Sequence, residues 1–463
     1  MNGSRTVLLL LHVFMLMAVW LCTLPANAQT APFVPAADDP LALLNISRQI
    51  EQAYQQDLAA LPREDKKEMA DLLRLRHANI RSKLDKHELY TSPQASAYLN
   101  KLLQEIVSGN ALLQAASVHC YFSRSGVPNA SYLGEGIIVF NMGLFKRLRN
   151  ESQAAFVLCH ELAHCMLHHS ENSIRKYVST LNSDEVQQEL RAIKKNEYNK
   201  RTGLEKLLRN ITFDSRRHTR DHESQADSMA VELISNTRFA TGEALSTLAL
   251  LDSIDTDSLD TEAALKRFFD APGYRFQKRW LSKQTSLLGV AAPAEEDAVL
   301  ADSLKTHPDC PSRIKWVQPL VNKYKSPRQR LFLIDSSLFE QTKSLFEYEI
   351  IEYAYAAGNY TKSLFYTLIL LQTKPTDPYL VTQTGKLFNS FFDAQKKHQL
   401  GKLIDLPSPA LPANYNTLLQ LIQNLYLEDY AAIGYHYLHP YQSALKWYEP
   451  FLAVYITSVE YNK

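Results

Sequence analysis

Apolar residues recur at three- and four-residue spacing along Asp39–Tyr54 and Arg63–Leu84, with charged residues between them. That spacing turns one face of a helix toward a core, so residues 31–115 read as helical. The pattern then changes. Ala116–Phe122 is a strand-like stretch, followed by the turn Ser125-Gly126-Val127-Pro128-Asn129. Gly136–Phe140 is a short, β-branched run flanked by glycines, and reads as a second strand. From Asn150 to His169 no Gly or Pro interrupts a helix, with Asn150 as N-cap and Gln153 at the third position of a capping box. Residues 171–218 are polar and rich in Lys and Arg, a solvated helical face. Thr219–Ile234 is another helix, with Ala226, Met229, Ala230, Leu233 and Ile234 as its apolar stripe. The fold class expected is α+β, mainly α with a small β-sheet.

The chain has 463 residues, too many for one ordinary core. A boundary is expected after Lys325-Ser326-Pro327, where the sequence becomes rich in Tyr, Phe and Leu. The expected domains are 29–326 and 327–463. In the second, Gly358, Tyr360 and Pro375, then Gly385 and Phe388, are spaced as in tetratricopeptide repeats. Thr367 and Leu370 depart from that pattern, and Pro407, Pro409 and Pro412 break the next stretch. This part resembles a tetratricopeptide-like α-helical domain.

Residues 1–28 read as a signal peptide. Arg5 precedes an apolar run from Thr6 to Leu24, and Ala26-Asn27-Ala28 supplies a cleavage pattern, with cleavage expected after Ala28. The run is also long enough to stay as an uncleaved anchor. No later stretch has the length and apolarity to span a bilayer, so membrane contact is expected to be peripheral at most. A net charge of +1 gives no field that would recruit nucleic acid. Cys120, Cys159, Cys165 and Cys310 allow three full disulfide pairings, and buried thiols are an equal alternative.

The chemistry lies in His160-Glu161-Leu162-Ala163-His164. Two histidines four apart on a helix share one face and can share one cation. Glu161 follows the first ligand, placed to take a proton from water at the metal without ligating it. A catalytic zinc needs a third protein ligand and an open position. Glu223 is the candidate, with His222 as its rival. Asp227, one turn after Glu223, can hold the far ring nitrogen of a histidine ligand. His168 and His169 are read as surface residues or as outer support.

These residues resemble the active-site helices of the gluzincin peptidases: HtpX-like heat-shock peptidases, CAAX prenyl endopeptidases and periplasmic β-barrel-assembly-enhancing proteases. The match extends to His169, Thr219-Arg220, Ala226-Asp227, Asn129-Ala130, Gly143-Leu144, Thr306-His307-Pro308 and Arg313, covering roughly residues 70–320. The resemblance implies a zincin-type domain binding one Zn²⁺ per chain through His160, His164 and Glu223. It makes Asn129, Ala130 and Ser131 an edge strand that pairs with an extended polypeptide substrate. His307 would approach the metal, either stabilising the oxyanion or plugging the site, and Arg313 would support the oxyanion or orient His307. Cys310 paired with Cys165 or Cys120 would make the His307 loop redox-sensitive. The implied activity is endoproteolysis of extended or misfolded envelope proteins by an exported, periplasmic protein. Its C-terminal helices would be a platform for an envelope partner. The alternative is a chaperone or adaptor acting through those helices over a latent zinc site.

Overall fold

The computed structural model describes residues 31–63, 66–114, 117–195, 220–254, 259–282, 310–408 and 411–463. Chain contacts divide it into Met1–Val34, of which only residues 31–34 are described, and Pro35–Lys463. The signal-peptide reading, Thr219 and the Thr306-His307-Pro308 segment lie outside the described residues.

Pro35–Lys463 begins with helices α1 (Pro40–Ala59) and α2 (Lys66–Asp85), which form a hairpin. Asp39 caps α1 by accepting from the amides of Leu41 and Ala42. Strand β1 (Leu89–Tyr90) then interrupts what reads as continuous helix before α3 (Pro93–Gly109). Strands β2 (His119–Ser123), β3 (Ala130–Gly134) and β4 (Ile137–Asn141) complete a sheet of order β1-β2-β4-β3. Only the β2–β4 pair is parallel. Strand β4 is central and apolar on both faces, as a strand covered on both sides should be. Ile138 and Phe140 point into the main core, while Ile137 and Val139 meet Ile46, Ile50, Ile80 and Leu84 of the α1–α2 hairpin.

Strand β3 forms the sheet's edge. Its hairpin tip, Gly134-Glu135-Gly136, has three consecutive positive φ angles of 88°, 53° and 66°. Glycine takes that conformation readily, but Glu135 does not. Its buried carboxylate is held 3.1 Å from Nδ1 of His77 and 3.6 Å from Nε of Arg76, both on α2. The N-terminal hairpin therefore fixes the end of the edge strand.

A short α4 (Met142–Phe145) leads to α5 (Glu151–Met166), whose amide at Gln153 is capped by the Asn150 side chain. The Gln153 side chain reaches the amide of Arg149 rather than that of Asn150, one residue short of a capping box. Helix α5 ends before the expected His169. His168 takes a left-handed conformation, φ 52°, and the chain turns into α6 (His169–Asn182) and then α7 (Asp184–Lys195). Residues 220–235 form α8, followed by α9 (Glu243–Ser253), α10 (Thr261–Phe269) and α11 (Cys310–Tyr324).

The remaining helices are α12 (Ser336–Ala356), α13 (Tyr360–Leu371), α14 (Pro378–Lys396), α15 (Ala413–Asn424), α16 (Leu427–Leu438) and α17 (Glu449–Tyr461). They interlock with the earlier part of the chain in both directions. Phe339 and Phe346 of α12 enter the main core, 5.1 Å from Phe145 and 4.7 Å from Phe122 between ring centres. Conversely, α10 and residues 270–282 join the late helices. Phe269 packs on Phe388, and Nη2 of Arg279 donates to both carboxylate oxygens of buried Asp429 at 2.6 and 2.7 Å.

Candidate metal centre

Helix α5 carries His160, Glu161 and His164 on the side facing β3 and α8. Nε2 of His160 lies 3.1 Å from Nε2 of His164. The Glu223 carboxylate, from α8, completes the triangle, with Oε2 3.4 Å from Nε2 of His160 and Oε1 3.4 Å from Nε2 of His164. Ligands about 2.0–2.1 Å from a tetrahedral ion stand about 3.3–3.4 Å apart, so the spacing of these three side chains fits the donor face of a zinc site. Among the described residues this is the one cluster of three His, Cys, Asp or Glu side chains able to hold a metal ion. The three side chains are each 13–19% exposed.

Support comes from behind. Asp227 is fully buried, and its Oδ1 lies 2.9 Å from Nδ1 of His160, off the line of an ideal hydrogen bond. This leaves Nε2 of His160 facing the site. Arg313 of α11 donates from Nε and Nη2 to Asp227 at 2.7 and 2.8 Å, and its Nη1 lies 3.1 Å from Glu223 Oε2. Burial opposes ionisation of both carboxylates. Hydrogen bonds from Arg313, with the His160 ring beside them, still hold Asp227 below its usual range, and the neighbouring His160 and His164 rings with Arg313 hold Glu223 well below its own. The guanidinium is thus engaged with the carboxylates of α8, and the structure gives it a positioning geometry rather than a free donor for an oxyanion.

The site's other wall is β3. The amide of Asn141 donates to the carbonyl of Asn129, which makes 129 and 141 a hydrogen-bonded pair. In an antiparallel ladder such pairs alternate with non-bonded ones. Ser131 opposite Val139 is therefore turned inward to β4. Ala130 opposite Phe140 and Tyr132 opposite Ile138 present their backbone groups outward. The Tyr132 amide already has a partner, donating to Glu161 Oε2 at 2.6 Å. Of the three residues expected to receive substrate, Ala130 alone offers outward backbone groups. Asn129 and Ser131 serve the ladder, and their side chains bond each other at 3.2 Å. A cavity of about 20 Å³, lined by Ala130, Leu144, Val157, Leu251, His160 and Glu161, opens beside this wall. Gly143 keeps the turn before it close, since a Cβ there would sit 2.2 Å from the carbonyl oxygen of Gly126.

His222 is not brought to the ligand triangle and instead stacks on His169. His169 is carried back by α6 to hydrogen-bond Nδ1 of His164. The spacing of His169 hinted at support for the ligands, but its contact with Gln225 had no signal in the sequence. Cys120, Cys159, Cys165 and Cys310 form no disulfide, so the structure matches the alternative of unbridged thiols and not a pairing of Cys310 with Cys165 or Cys120.

Three side chains on two helices that could hold a metal ion, with the Glu161 carboxylate outside their set, are consistent with a catalytic zinc centre; a structural zinc site is closed by four ligands. Residues 93–321 match the model of peptidase family M48, and this segment belongs to that family of zinc metalloproteases. The chain is a metalloendopeptidase. No curated protein matches it.

Proposed function

We propose that this protein cleaves extended or misfolded envelope polypeptides, using one zinc ion per chain held by His160, His164 and Glu223. The observation that carries this reading is the pairing of a sheet-edge strand with the general base: the backbone groups of Ala130 lie on the side of β3 away from β4, and Tyr132 hands its amide to Glu161. An extended segment adds to such an edge through backbone hydrogen bonds, which gives affinity with little sequence preference. A folded protein cannot offer that strand.

When bound, zinc supplies Lewis acidity toward the scissile carbonyl and toward water. The chain's own residues do the rest. Ala130 aligns the substrate. Glu161, oriented by the Tyr132 amide, takes a proton from the attacking water and delivers it to the leaving amine. Asp227 and Arg313 hold His160 and Glu223 in register.

Export after cleavage at Ala28 belongs to the same proposal, as does a tetratricopeptide-like partner platform in residues 327–463. No helix among the described residues is long and apolar enough to cross a membrane. The test is Glu161→Gln assayed on casein. Hydrolysis should vanish while zinc stays near one per chain. Cleavage retained by this variant refutes the mechanism. An envelope phenotype rescued by Glu161→Gln as fully as by the wild type would favour the adaptor reading.

A further inference from the structure

His164 connects the ligand triangle to the protein surface. Its Nδ1 lies 2.9 Å from Nδ1 of His169, and Nε2 of His169 lies 3.1 Å from Oε1 of Gln225. His222 lies flat on the His169 ring, with centroids 4.1 Å apart and planes 9° from parallel, which restrains the ring's rotation. Each contact in this chain needs one donor and one acceptor.

A metal at Nε2 of His164 requires a lone pair there. The proton of the neutral ring then sits on Nδ1 and is donated to Nδ1 of His169. His169 must carry its own proton on Nε2, where the Gln225 carbonyl oxygen accepts it. The chain can also run backwards. With the Gln225 amide turned over, its NH₂ donates to His169, His169 donates to His164, and His164 directs an N–H at Nε2 of His160, 3.1 Å away. That arrangement opposes a cation. Both directions hold the same number of protons, and only their places differ.

We propose that Gln225 is a positioning residue that acts through His169 to select the metal-binding tautomer of His164, and that its amide leaves the selection reversible. This rests on reading His160, His164 and Glu223 as zinc ligands. A carboxylate at position 225 can only accept, which locks the metal-binding direction. An ammonium can only donate, which locks the opposite one. Gln225 is exposed on α8, so substitution there leaves the core intact.

The experiment measures zinc dissociation constants by chelator competition for the wild type, Gln225→Glu and Gln225→Lys, each repeated in a His169→Phe background. His169→Phe alone should weaken binding about 10- to 100-fold, the usual cost of losing a ligand's outer partner. With His169 present, Gln225→Glu should tighten zinc binding and Gln225→Lys should weaken it about 10-fold. In the His169→Phe background both effects should shrink to within about 2-fold, because the two sites no longer couple. Effects of undiminished size there would show charge acting through space, and would overturn the relay. Imidazole ¹⁵N shifts of the zinc-loaded wild type give a readout that needs no variant: His169 should be protonated at Nε2, and protonation at Nδ1 overturns the proposal. Wild-type protein that takes up no zinc refutes the ligand reading and the relay with it. Zinc uptake without the tautomer signature refutes the relay alone.

Discussion

Replacing Glu151 with glutamine should destabilise the protein by about 3–5 kcal/mol while leaving every zinc ligand in place. Glu151 opens α5 and is fully buried. Its Oε2 accepts from the amides of Leu333 and Ile334 at 2.6 and 2.7 Å, and its Oε1 from the amide of Asp335 and the hydroxyl of Tyr98 at 2.8 Å each. One carboxylate thus ties the start of the zinc helix to the segment that leads into α12. Glutamine keeps one of the two oxygens, enough for Leu333 and Ile334. Its NH₂ group faces the Asp335 amide, donor against donor, while Tyr98 can rotate its hydroxyl to accept. One buried N–H left without an acceptor costs about 1–3 kcal/mol. Three bonds that fall from charge-assisted to neutral lose roughly 0.5–1 kcal/mol each. Urea denaturation of zinc-stripped and zinc-loaded protein measures the change, which should be equal in the two forms. A loss below about 1 kcal/mol, or one confined to the zinc-loaded form, would refute the reasoning.

Arg313→Lys keeps the charge but not the fork that spans Asp227 and Glu223, so zinc affinity should fall about 10- to 100-fold in a competition assay. Ala130→Pro and Ser131→Pro should separate by the direction of the amide each removes. The first should raise KM on casein with little change in thermal midpoint, and the second should lower the midpoint by breaking the ladder to Val139; equal midpoints would contradict the register. Burial pushes the thiols of Cys120 and Cys159 up, and both are enclosed, whereas Cys165 is partly exposed. Alkylation at mildly alkaline pH should therefore mark Cys165 well before those two, as read by peptide mass spectrometry.

Much of the site was legible because it is local. His160, Glu161 and His164 lie within two turns of one helix, and Glu223 and Asp227 within two turns of another, so helical periodicity alone puts each set on one face. Asn150 announces the start of α5 by its capping chemistry. The end of that helix was not legible. His168 stops it in a left-handed turn without glycine, and this break is what lets His169 return to His164. The strand near Asn129 was expected from resemblance, but which of its amides face outward depends on pairing with β4. A shift of one residue would exchange Ala130 for Ser131.

By itself, then, the amino-acid sequence determined the α+β class, the two helices that carry the candidate ligands and the metallopeptidase motif, because each follows from spacings of a few residues. Tertiary structure decided what depends on distant segments meeting. It placed Glu223 at 3.4 Å from both histidines and committed Arg313 to Asp227 and Glu223. It drew α12 into the main core and α10 into the late helices, across a compositional shift at residue 326 that looks like a boundary in the chain. Composition is a property of neighbours in sequence, whereas burial is set by whichever apolar faces fit together, and for Phe339 and Phe346 the fitting face was the sheet of the peptidase.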